Sequence, residues 1–99
     1  MFAQNPASGN PLPFRLVGII IPYTGIDDEP LVNFAGLKLA ERFGLAAGTY
    51  DALSETVLVY SLTPELTDLD MTILMGIGIQ VAQGREGVAV VIDDDLIMM

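Results

Sequence analysis

The chain contains no cysteine and no histidine. Disulfides are therefore excluded, and so are zinc sites built on Cys/His sets and histidine acid–base chemistry. Tryptophan is absent too. Positive charge is scarce: 4 Lys+Arg stand against 13 Asp+Glu, a net charge of −9. Phosphate backbones are held by clustered cations, so no nucleic acid is expected as a partner. Long apolar runs are missing. The longest, Met71–Ala82, carries Thr72 and Gln80 and falls well short of the about 20 residues a membrane span needs. No membrane partner is expected. Residues 1–13 have no basic start followed by an apolar stretch, so no signal peptide is predicted and the expected compartment is cytoplasmic.

What is present is a 99-residue chain, 52% hydrophobic, with a mean hydropathy of +0.53. That excludes intrinsic disorder and allows one domain with one core. Pro6, Pro11 and Pro13 mark residues 1–13 as a flexible leader before a single domain over 14–99.

Leu16–Ile21 is short, apolar and rich in β-branched residues, the pattern of a strand buried on both faces. Gly18 within it admits a close neighbour. Pro22–Pro30 is a loop in which Asp28 can cap the next helix, predicted from about Pro30 to Phe43 and ended by Gly44. Residues 44–55 read as a connection and Thr56–Ser61 as the second strand. A second helix starts at Thr63 or at Thr67/Asp68 and runs to about Gly84, apolar almost all round. Gly76 and Gly78 inside it predict close packing. Gly87–Ile92 is the third strand, followed by Asp93–Asp95 and the tail Leu96–Met99. This order predicts an α/β fold: a three-layer parallel sheet, βαβαβ, with strand order 2-1-3.

In such sheets ligands bind beyond the carboxyl ends of the strands. Nine of the 13 acids fall in the segments that follow the three strands, with no Lys or Arg among them. The candidate ligand-binding residues are Tyr23, Thr24, Asp28, Asp68, Asp70 and Asp93. Three readings fit these acids: a weak hard-cation site, a docking face for a cationic partner, and helix capping with surface solubility. No phosphate-binding glycine loop follows a strand, and no cofactor is predicted. Ser54 and Ser61 have no histidine to activate them, so no catalytic residue is assigned.

Ile21-Pro22-Tyr23-Thr24-Gly25, Asn33-Phe34-Ala35 and Phe43-Gly44, together with Asp70 to Gly84, resemble the nucleoside 2-deoxyribosyltransferase-like family over about Leu16–Ile92. The resemblance implies a flavodoxin-like fold and a remnant nucleotide-type pocket lined by Tyr23, Asp68 and Asp70. Two positions depart from the pattern. Ile21 replaces a glycine, and Gly76 stands where the family has its nucleophilic Glu. Glycine cannot attack an anomeric carbon.

The expected function is thus a small acidic, non-enzymatic binding or assembly module. The alternative is a deoxyribosyltransferase-like or related N-glycosidic-bond enzyme using Asp68 or Asp70. The expected partner is a second copy of the chain, met through the second helix, because its apolar residues point nearly all ways round. A small molecule and a cationic protein are the other partners that fit the acidic edge.

Overall fold

The computed structural model describes residues 14–99; the expected leader, 1–13, lies outside the described residues. β1 (Arg15–Pro22) alternates cleanly: Val17, Ile19 and Ile21 are fully buried, while Leu16 and Ile20 on the other face are only partly so. A loop with a short 3₁₀ turn (Ile26–Asp28) leads into α1 (Glu29–Phe43). Pro30 sits in its first turn, where a missing N–H costs nothing. Then come β2 (Ala47–Asp51), β3 (Thr56–Thr63), α2 (Asp68–Ala82), β4 (Ala89–Ile92) and β5 (Asp95–Met98).

All five strands form one sheet in the order β2-β3-β1-β4-β5, and every neighbouring pair is antiparallel. The parallel three-layer βαβαβ arrangement with order 2-1-3, and with it the flavodoxin-like reading, is overturned. The cause is the segment 44–55. It is not a plain connection but contains β2, which hairpins into β3 and so turns β3 antiparallel to β1. β2 shows no apolar signature because all five of its residues are exposed. The tail is likewise a strand, β5, joined to β4 by a two-residue turn in which Asp93 takes a φ of 52°, a region Asp tolerates better than most residues. The result is a split βαβ repeated twice: β1-α1-β2 with β3 inserted, and β3-α2-β4 with β1 inserted.

Both helices pack on one face of this sheet. Ala35 and Leu39 of α1 and Leu74, Ile77 and Val81 of α2 join Val17, Ile19, Ile21, Val59 and Val90 in one core. Each fully buried side chain of this type contributes about 1.5–3 kcal/mol. The opposite face has no covering layer among the described residues. The register places Leu16 and Ile20 of β1, Leu58, Tyr60 and Leu62 of β3, and Leu96 and Met98 of β5 on it.

Gly18 sits where β1 and β3 approach. A Cβ there would lie 2.6 Å from the Val59 carbonyl oxygen and 2.9 Å from Tyr60 Cβ, so the close approach expected of this glycine is real. No helix among the described residues is long and apolar enough to cross a membrane.

Candidate functional site

The six residues expected to share one edge are divided between two ends of the sheet. Tyr23, Thr24 and Asp28 follow the end of β1, whereas Asp68, Asp70 and Asp93 follow the ends of β3 and β4. Those strands run antiparallel to β1. The eight residues of β1 therefore separate the two groups, at about 3.3 Å each.

At the first end Asp28 is 5% exposed. It occupies the N-cap position of α1 without capping it. Its carboxylate instead accepts from the Thr24 N–H at 2.7 Å and the Thr24 hydroxyl at 2.9 Å. Arg85, just beyond α2, closes on its other oxygen at 2.8 Å. Tyr23 packs edge-on against Tyr50 with ring centroids 5.5 Å apart.

At the second end Asp70 forms a capping box with Thr67: the Thr67 hydroxyl accepts from the Asp70 N–H, and the Asp70 carboxylate accepts from the Thr67 N–H. Arg42, in the last turn of α1, pairs with the same carboxylate. The arrangement is reciprocal. The acid at the start of each helix is held by the arginine at the end of the other. Asp93 takes Arg15 through Nε and Nη2 at 3.0 and 2.6 Å. Asp68 is exposed in the first turn of α2.

Arg15, Arg42 and Arg85 lie outside the acid-rich segments in sequence, and the antiparallel topology brings them back to those acids. Lys38, the fourth cation, lies 3.9 Å from Glu41. Among the described residues every Lys and Arg therefore has an acid beside it.

The Thr67 N–H, assisted by the Thr67 hydroxyl and Arg42, holds the Asp70 carboxyl below the usual carboxylate range; the Thr24 N–H and hydroxyl, then Arg85, do the same for Asp28. Burial opposes both shifts but does not reverse them. In the unfolded chain these acids take up protons near about pH 4; in the folded chain they do so only lower. Their contribution is therefore complete above the ordinary value and is lost as pH falls through the folded one. Melting followed across that range should show a flatter pH dependence for the Asp28→Asn/Asp70→Asn variant than for the parent chain. Parallel curves would show that neither pair links folding to protonation.

Three surface depressions, of about 430, 530 and 370 Å³, are lined chiefly by apolar residues of β2, β3, β5 and α1. None of the six candidate residues lines them. Among the described residues no three acids converge as a metal site would require.

What the structure does present is uncovered apolar surface. On α2, Leu74, Ile77, Gly78 and Val81 face the core. Leu69, Thr72, Gly76 and Ile79 make an exposed, uncharged row at intervals of three, four and three, with Leu69 and Ile79 61% and 58% exposed. The two helix glycines do different work. A Cβ on Gly78 would lie 2.6 Å from Val90 Cγ2, whereas one on Gly76 would meet nothing among the described residues within 4 Å. No family model matches this chain, and neither a curated protein nor a solved structure is found similar to it.

Proposed function

We infer that the protein is a non-enzymatic assembly module that pairs with a second copy of itself along the outer row of α2, within the cytoplasm. Gly76 carries this reading. Glycine inside a helix costs about 1 kcal/mol relative to alanine. Gly78 has a reason for that cost in the sheet beneath it, but nothing among the described residues touches the Cβ position of Gly76. A backbone approaching from outside supplies the missing reason. Period-3.5 spacing is that of helix pairs that pack with a shallow crossing angle. A two-fold axis near Gly76 would make the row its own complement. The acids are held as helix clips, which supports a structural rather than a catalytic use of them.

Light scattering on a sizing column tests this. Ile79→Glu places a charge in the row at an exposed position and should at least halve the weight-average mass at about 100 µM, a concentration suited to micromolar affinities. Lys38→Glu on α1 should leave the mass unchanged. Ile77→Glu is unsuitable, because Ile77 is 5% exposed in the chain's own core. An Ile79→Glu mass equal to that of the parent chain refutes pairing through α2.

A further inference from the structure

We propose that residues 1–13 fold back over the sheet face opposite the helices and cover it along β4. The observation behind this is a burial that the strand register does not explain. Ala89 and Val91 belong to that face, yet they are 2% and 5% exposed. Their β5 neighbours, Met98 and Leu96, are themselves 65% and 60% exposed and give little shelter. On the β1 side Val91 is registered on Gly18, which has no side chain to offer. No described residue lies over the pair. The structure consists of one chain, so the cover belongs to that chain, and residues 1–13 are the part of it left to supply one.

Composition and reach suit the segment to the place. In a chain with a net charge of −9, Met1–Pro13 contains no Asp, Glu, Lys or Arg. Met1, Phe2, Ala3 and Leu12 are apolar, and Pro6, Pro11 and Pro13 have no backbone N–H. Such a segment carries fewer donors that would be left unpaired on an apolar surface. Along β4 the face offers Ile20, Ala89, Val91 and Leu96, none with a polar side chain. The β2 flank instead carries Thr49 and Asp51, which an apolar strip would desolvate at a cost. The chain bends at Phe14, just before β1. Ala89 is registered on Ile20, about 20 Å along β1 from that bend. The segment can span roughly 40 Å, enough to turn and run the length of β4.

This cover does not depend on pairing through α2, which lies on the other side of the sheet. It does set a limit on assembly. With this face occupied by the chain itself, a two-fold contact through α2 ends at a dimer.

The chain has no cysteine, so Asn5→Cys carries a nitroxide at a single place in the full protein. The amide signals of Ala89 and Val91 should lose at least half their intensity relative to the chemically reduced label. Those of Leu37 and Gly76, exposed on the outer sides of α1 and α2, should keep theirs. Adding Phe2→Glu/Leu12→Glu to the labelled chain should restore both signals, because neither charge can be buried against them without cost. Labelled protein mixed with unlabelled, isotope-enriched protein reports on a second copy, and there Ala89 and Val91 should stay undiminished. Full Ala89 and Val91 signals in the labelled chain overturn the proposal. So does their loss in the mixture, which would put another copy on the face, and so does a loss that the two charges leave unchanged.

Discussion

Gly18→Val should lower stability by about 3 kcal/mol or more, the upper end of what overpacking a core costs. The first added carbon would already stand 2.6 Å from the Val59 carbonyl oxygen. That atom is backbone and cannot rotate aside. To relieve the contact β3 must move away from β1, and Ile19 is registered on Val59 one residue along. The two further methyl groups of valine would meet Leu58 and Tyr60, which close over the glycine. Domains of this size hold only about 5–15 kcal/mol in total. A loss of this magnitude should lower the melting temperature by about 12 °C or more. Urea titration followed by circular dichroism measures it. A variant within about 0.5 kcal/mol of the parent, the range of a neutral surface change, would show that the two strands are not so close.

Two residues apart on α2, alanine substitutions should have opposite signs. At Gly78 the new methyl group would meet Val90 Cγ2 at 2.6 Å and Met99 Sδ at 2.8 Å. Met99 can swing away, but a buried β-branched Val90 has little rotamer freedom. Overpacking costs about 1–3 kcal/mol, of which the better helix propensity of alanine returns up to about 1. Gly78→Ala should therefore destabilise by up to about 2 kcal/mol. Gly76→Ala meets open space and should stabilise the isolated chain by up to about 1 kcal/mol. On the α2 reading the same methyl group weakens pairing, so folding stability and assembly should move in opposite directions. Melting curves at low concentration, paired with mass measurements at high concentration, separate the two effects. A destabilising Gly76→Ala would remove the case for an external neighbour.

The elements with an apolar face were legible in the sequence. The helix expected over Pro30–Phe43 spans Glu29–Phe43, and the second helix is capped by Thr67, one of the two starts considered. Strand direction was not legible. Continuous apolar runs such as Val-Gly-Ile-Ile-Ile and Val-Ala-Val-Val-Ile suggest burial on both faces, which parallel sheets share with the centre of this antiparallel one. β4 has Val90 and Ile92 in the core under α2, while Ala89 and Val91, on the other face between β1 and β5, are buried as well. β2 escaped notice because an exposed edge strand needs no apolar pattern. That one missed strand reversed β3, and with it split the expected acidic edge in two. The helix clips were hidden for the same reason. Arg42 and Arg85 stand far in sequence from the acids they hold, and only the chain direction brings each to the far helix's acid.

The central place of β1 also shapes how the chain must find its fold. The first strand among the described residues is the central one, held between β3 and β4. Ile19 meets Val59 on one edge and Val90 on the other. Its second edge stays open until β4, about seventy residues later in the sequence, has been made, so no early hairpin can consolidate it. Closing such long loops spends chain entropy before contacts repay it, which places this domain among the slower folders of its size. While it waits, the run Ile19-Ile20-Ile21 is an unpaired apolar edge. That interval, rather than the finished fold, is when this protein is most exposed to aggregation.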